Sequence, residues 1–313
     1  MDFSRSGSTG IGVQIIRYAH KSTFDLKMLL AYSTNAFTKT DLSTALTEIS
    51  DLGYAGAEIL CERPHWYPDD IDERQLQMVK ELLQQKGLGV SNLNANTANS
   101  FFTSPPPENV FEPSLTNRKP EIRRAREAIV IKAIHMAHSI GAKCISLTSG
   151  RPTPGCFPDD AVGYFIESLS RICEAAHQYN VAVGIEYEPG LLVENAYEVL
   201  DVIDRVDSDL LGVNLDIGHS YLNGEEPEVT IEALKGRIWN IHIEDIKNMK
   251  HFHLVPGDGD MPFKRYLKAL KKIGYQGYLT AELYSFPQCP VEVGRRSYQY
   301  LANLLAELEC NDY

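Results

Sequence analysis

The chain lacks a cysteine framework: its six cysteines (Cys61, Cys144, Cys156, Cys173, Cys289 and Cys310) are scattered over 313 residues with no C-x-x-C pair. This excludes a disulfide-stapled scaffold and reads as reduced thiols in a cytoplasmic protein. It also lacks an excess of positive charge. With 30 Lys and Arg against 42 Asp and Glu, the net charge is −12, so no nucleic-acid partner is expected, because that binding rests on basic surface that neutralises phosphates. No apolar run approaches the ~20 residues of a membrane span, so no membrane partner is expected either. The first 25 residues lack the apolar core and small-residue cleavage site of a signal peptide. They read as an N-terminal extension (1–25), with a single domain over 26–313. Several catalytic signatures are missing too: there is no G-x-S-x-G elbow, no Walker lysine, and no cysteine with an evident histidine partner. GDGD at 257–260 lacks the later positions and distal glutamate of a calcium-binding EF-hand loop.

What the chain does contain is 43% hydrophobic and 23% charged residues, the balance of a soluble globular protein. From residue 27 it alternates strand-like and helix-like segments. KMLLAYSTN precedes a helical DLSTALTEISDLG, in which apolar residues at 42, 45, 46 and 49 share one face, with Asp41 as cap and Gly53 as stop. YAGAEIL, GVSNLNANT, KCISLTSG, VAVGIEYEP, LLGVNLDIGHS, RIWNIHIEDI and GYLTAELYS are further strand-like runs, each followed by a helical segment. Short apolar strands separated by amphipathic helices imply parallel strands with right-handed crossovers. Eight such units over about 285 residues, with no linker-like break, predict an α/β fold closed as a (β/α)8 TIM barrel. Residues 95–120 form one long connection, read either as a lid or as a plain surface insertion. Phe101, Phe102 and the Pro105–Pro107 run are its candidate covering residues.

In barrels of this kind, chemistry gathers where strands end. Those positions carry Glu186 and Glu188 (fifth strand), Asp216 and His219 (sixth), His242 (seventh) and Glu282 (eighth). Glu186, Asp216, His242 and Glu282 each interrupt an apolar run, where an ionised side chain is costly unless paired or metal-bound. Three carboxylates at one barrel mouth repel one another unless a cation sits among them. Three oxygen donors and one imidazole suit one divalent ion such as Mn²⁺, Mg²⁺ or Co²⁺; Zn²⁺ is possible but prefers more nitrogen or sulfur ligands. Any one of these residues alone reads as a solvated acid or a satisfied histidine; four on consecutive strands read as a site. His20, His135, His138 and His177 have no partner at ligand spacing and are read as non-ligands.

The order of these residues resembles the xylose-isomerase-like barrels, the sugar phosphate isomerase/epimerases. IEYEPG is similar to the strand-5 glutamate motif, NLDIGHS to the strand-6 D-x-x-H motif and NIHIED to the strand-7 H-x-x-D motif. HLVPGDGDMPF resembles the Pro–Gly turn that follows, and YLTAELY the strand-8 glutamate. The resemblance implies Glu186, Asp216, His242 and Glu282 as metal ligands, with Glu186 and Glu282 also acting as base and acid through an enediolate. It implies substrate contacts at His219 and His253, leaves His251 as a spare ligand or a loop residue, and implies a keto-sugar or polyol substrate and homo-oligomers. His65 and Trp66, in CERPHWYP, are candidate pocket residues, with a packed turn as the alternative. Two departures stand out. Glu244 replaces a common lysine, and Glu188 adds a carboxylate; both favour an uncharged substrate, and Glu188 is a candidate substrate contact.

Two other reactions are weighed on the same residues. A dehydratase of a cyclic keto-polyol shares the enediolate start but expels a β-hydroxyl. A multi-zinc phosphodiester hydrolase resembling endonuclease IV would use His251 and His253 as extra ligands. It also needs histidines on strands 3 and 4, where this chain has Asn94 or Asn96, and Thr148.

Overall fold

Residues 28–104 and 110–310 are described by a computed structural model. The expected extension over 1–25 and the Pro105–Pro107 run lie outside the described residues. The strands in chain order are β1 (Leu29–Ser33), β2 (Gly56–Leu60), β3 (Gly89–Asn94), β4 (Cys144–Thr148), β5 (Ala182–Glu186), β6 (Leu211–Asp216), β7 (Ile238–Ile243), β8 (Asp245–Lys247), β9 (Lys250–Leu254) and β10 (Tyr278–Ala281). All but β8 and β9 close into one parallel barrel in the order β1-β10-β7-β6-β5-β4-β3-β2. The expected (β/α)8 fold is therefore what forms, with β10 as its eighth strand.

The helices are α1 (Leu42–Asp51), α2 (Glu73–Lys86), α3 (Pro120–Ile140), α4 (Pro158–Tyr179), α5 (Ala196–Val206), α6 (Ile217–Leu222), α7 (Pro227–Ala233), α8 (Phe263–Lys272) and α9 (Pro290–Cys310). Their ends follow local chemistry. The Asp41 side chain accepts from Thr44 N to start α1, and a reciprocal Asp72–Gln75 capping box starts α2. Gly87 ends α2 at φ 62°, a left-handed conformation that costs a glycine little. Among the described residues no helix is long and apolar enough to cross a membrane.

Two-residue alternation along each strand divides the barrel into two environments. Outward residues such as Ile59, Leu93, Ile145, Val183, Val213 and Ile241 are 0% exposed and belong to the core beneath the helices. Inward residues are polar yet equally buried: Ser33, Glu58, Asn92, Asn214, Asn240, His242 and Thr280 are all within 1% of complete burial. Several of them bond to one another. Thr280 Oγ1 donates to Asn240 Oδ1 at 3.0 Å, and Asn240 Nδ2 donates to Asn214 Oδ1 at 2.8 Å. The barrel interior is thus a hydrogen-bonded polar column that leads up to the acids at its mouth.

One element departs from the sequence reading. The run 237–246, expected as a single strand, ends as β7 at Ile243, and β8 and β9 then pair as an antiparallel hairpin over the barrel mouth. Its two turn residues, Asn248 and Met249, both have φ 53°. Such turns favour Asn-Gly, and methionine in the second place hides the signal.

Candidate active site

A cavity of about 590 Å³ opens at the C-terminal ends of the strands, with Glu186, Glu188, His219, His251, His253 and Glu282 in its wall. At its floor Glu186, Asp216, His242 and Glu282, all buried, bring one potential ligand atom each to within 4.8 Å of one another. His242 Nδ1 lies 2.9 Å from Glu186 Oε2, 3.4 Å from Glu282 Oε2 and 4.0 Å from Asp216 Oδ2. The four residues singled out in the sequence therefore converge. They stand at or just beyond the ends of β5, β6 and β10 and near the end of β7, each on an inward position.

The electrostatics follow from crowding acids in a dry place. Burial works against a charge on His242, but Glu282, Glu58 and Glu186 outweigh it and raise its pKa well above the usual value. Burial pushes Glu282 up to about 7, with His242 opposing and the charges of Glu186 and Glu58 adding. Asp216 is held below its usual range: burial opposes this, but His219, a hydrogen bond from Glu244, His253 and His242 stabilise its charge. Amide groups hold the outer edges of the set. Asn35 Nδ2 donates to Glu282 Oε1 at 2.8 Å, and Asn96 Nδ2 to Glu186 Oε2 at 3.0 Å. Converging buried carboxylates and one imidazole fit a divalent cation.

Beside this set stands a group of three imidazoles. His251 Nε2 is 3.2 Å from His219 Nε2 and 3.3 Å from His253 Nε2. His219 Nδ1 faces the Tyr187 carbonyl at 3.1 Å, and His253 Nδ1 faces the Glu282 carbonyl at 2.9 Å. A carbonyl only accepts, so both rings carry a proton on Nδ1, and their Nε2 atoms face His251 Nε2 at the cavity wall. His251, left open in the sequence, joins them because the β8–β9 hairpin folds it back over the mouth.

Glu188 lines the cavity, its pKa pushed up to about 7 chiefly by burial, with His219 opposing and Glu186 and Asp216 adding. Glu244 departs from its expected effect. Burial, then the Asp216 charge and a hydrogen bond to the Asp216 carboxylate, raise its pKa well above the usual value. It sits as a neutral acid against Gly218, where any Cβ would overlap it, so it adds little of the negative charge that its replacement of lysine suggested.

His65 and Trp66 are corrected. They are 8% and 2% exposed and do not line the cavity. His65 Nε2 lies 3.2 Å from the Phe37 carbonyl, and Trp66 packs in the core, so both belong to a packed turn. In the 95–120 connection, Asn96, Thr97, Asn99 and Phe111 reach the cavity. Phe101 instead packs edge-on against Tyr67, and Phe102 is exposed. The GDGD turn folds around a side chain rather than an ion: Asp245 Oδ2 accepts from Gly257 N and Gly259 N, both at 2.8 Å.

Sequence reasoning missed Glu58. This fully buried carboxylate of β2 lies 2.6 Å from His242 Nε2. The signal was available, since YAGAEIL places an acid in an apolar strand just as VAVGIEYEP does.

Residues 46–304 match the family described as the xylose isomerase-like TIM barrel. Fructoselysine 3-epimerase of Shigella flexneri is 27% identical over 247 residues, covering 76% of this chain and 84% of its own. Inosose dehydratase of Lacticaseibacillus casei is 24% identical over 277 residues, covering 82% and 87%. Among solved structures, a D-tagatose 3-epimerase-like protein superposes with a TM-score of 0.77 at 20% identity, covering 91% of this chain and 100% of its own. The IOLI protein with a binding zinc atom superposes at 0.73 and 17% identity, covering 90% and 99%.

Proposed function

This chain belongs to the xylose isomerase-like TIM barrel family, and on that footing we propose that it is a divalent-metal-dependent epimerase or isomerase of a keto-sugar or related polyol. The observation that carries the reading is the convergence of Glu186, Asp216, His242 and Glu282 within 4.8 Å at the floor of an open cavity. These four residues would hold the ion. When bound, a divalent cation supplies Lewis acidity to a substrate's carbonyl and neighbouring hydroxyl oxygens.

The residues of the chain do the proton work. Glu186 takes the proton from the carbon beside the carbonyl, and the electron pair passes to the carbonyl oxygen to give an enediolate. Glu282, with a pKa of about 7, returns a proton to the other face of that carbon, inverting it. His219 and His253, in the cavity wall, contact substrate oxygens. Names among the relatives support this class, since epimerases recur there.

A dehydratase is the second reading, and Glu188 is the residue that favours it. A carboxyl with a pKa of about 7 in the cavity wall is a suitable acid for protonating a departing hydroxyl. The inosose dehydratase relatives point the same way.

The test begins with metal content per chain of wild type and Glu186→Gln, by elemental analysis. Keto-sugars and inososes are then screened for deuterium uptake from heavy water. About one ion per wild-type chain, reduced in the variant, with uptake into a keto-sugar and no loss of water, supports the epimerase. Uptake accompanied by an unsaturated product supports the dehydratase. Absence of any bound metal under all loading conditions defeats both.

A further inference from the structure

Glu58 crosses the barrel from β2 to His242 on the far wall, 184 positions away in sequence. Pairing between β2 and β3 shifts register between Ala57 and Glu58, a local irregularity of the kind that re-aims a side chain. Its carboxylate meets donors on every side. Oε1 accepts from Ser33 Oγ at 2.7 Å and Asn94 Nδ2 at 3.1 Å, and Oε2 accepts from Asn92 Nδ2 at 2.8 Å. The fourth contact, at 2.6 Å, is His242 Nε2. Those three donors occupy three of the carboxylate's roughly four acceptor positions, and the one left, on Oε2, accepts the proton that stays on Nε2 in this short contact.

We propose that Glu58 is a positioning residue: it locks His242 with Nε2 protonated, so that Nδ1 is the nitrogen offered to the cation. This rests on the metal reading of the site. The geometry selects that nitrogen independently, because Nδ1 is the atom 2.9 Å from Glu186 Oε2 and 3.4 Å from Glu282 Oε2. A carboxylate behind the far nitrogen of a metal-bound imidazole fixes the ring and raises its basicity. Nothing else among the described hydrogen bonds holds Nε2 at so short a distance. The bonds from Ser33, Asn92 and Asn94 then become part of the site's preorganisation, three shared anchors for one ring.

Two measurements test this. The first loads ¹⁵N-histidine-labelled wild type with ¹¹³Cd²⁺ alone and reads cadmium–nitrogen coupling. Coupling at Nδ1 of His242 with a retained Nε2 proton is expected; coupling at Nε2 overturns the proposal. The second compares Zn²⁺ affinity by chelator competition, and the Co²⁺ absorption spectrum, across wild type, Glu58→Gln and Glu58→Asp. Roughly ten- to hundred-fold weaker Zn²⁺ binding in Glu58→Gln is expected, with an altered Co²⁺ spectrum. Glu58→Asp keeps the charge but falls one methylene short, and it is expected not to rescue.

Circular dichroism identifies the folded variants, and the wild-type cadmium experiment decides the matter if neither folds. A folded Glu58→Gln with wild-type affinity and spectrum overturns this inference while leaving the metal reading standing. Wild type that binds neither Zn²⁺ nor Cd²⁺ overturns both.

Discussion

Asp216 and His219 are bound to each other through the backbone: Asp216 Oδ1 accepts from His219 N at 2.9 Å and so caps α6, while its carboxylate also faces His242. One side chain therefore closes β6, starts the next helix and joins the acid cluster. The capping and the cluster roles are separable by substitution. Asn caps a helix about as well as Asp, whereas Ala loses about 1 kcal/mol. Asp216→Asn is expected to keep the wild-type unfolding temperature or exceed it, because one buried negative charge is removed, and to lose bound metal. Asp216→Ala is expected to lose both metal and stability. Calorimetry of the metal-free proteins, with elemental analysis of the loaded ones, checks the separation.

Glu186→Gln and Glu282→Gln each remove one of the proposed proton-transfer groups while keeping size. Loss of general acid–base catalysis is worth about 10²–10⁴-fold, and each variant is expected to fall in that range on any substrate the wild type turns over. Because both residues also face the proposed ion, turnover is compared at saturating Mn²⁺. A Glu282→Gln variant with unaltered turnover at saturating metal would remove that residue from the reaction.

Away from the site, Glu127 of α3 is buried and accepts from Arg171 of α4 at 2.9 Å and 2.6 Å and from Arg124 at 2.9 Å. Burial opposes its charge, but these bonds lower its pKa below 4.5. A depressed carboxylate contributes stability above its unfolded pKa and loses it as pH falls through the folded one. Glu127→Gln is expected to destabilise by about 2 kcal/mol at neutral pH. The gap between wild type and variant should narrow below about pH 4. Urea unfolding at pH 7 and pH 3.5 checks the sign; a gap that widens in acid contradicts it.

Arg126, 4% exposed, donates to the backbone carbonyls of Ala95 and Thr97 and so ties down the chain leaving β3. That segment carries Asn96, which holds Glu186. Arg126→Met leaves one buried and one half-buried carbonyl unpaired, at about 1–3 kcal/mol for the buried one. A lower melting temperature and faster proteolysis near residues 95–110 are expected. Unchanged cleavage there would detach Arg126 from the ordering of the loop.

Much of this molecule is legible in one dimension, because two of its rules are local. Apolar runs of about five residues alternating with amphipathic helices dictate parallel strands and their crossovers, and eight such units close a barrel. Period-two alternation then marks Glu186, Asp216, His242 and Glu282 as inward acids and an imidazole at strand ends, since an ionisable group in such a run has few other reasons to be there. The same reasoning applied to YAGAEIL would have named Glu58, but not its partner. That pairing spans the barrel, and no local pattern states which inward side chains meet across it.

The tertiary structure alone decided the rest. His65 and Trp66 follow a strand end as His219 does, yet they turn into packing because the chain after β2 folds back on Phe37. His251 reaches the cavity only because a hairpin with Met249 in its turn returns it there. Glu244 is charged by composition but neutral by burial beside Asp216. Which residues line the barrel is a matter of periodicity, and the sequence carries it. Which of them touch, and which keep their charge, depends on distance and dielectric, which arise only once the barrel has closed.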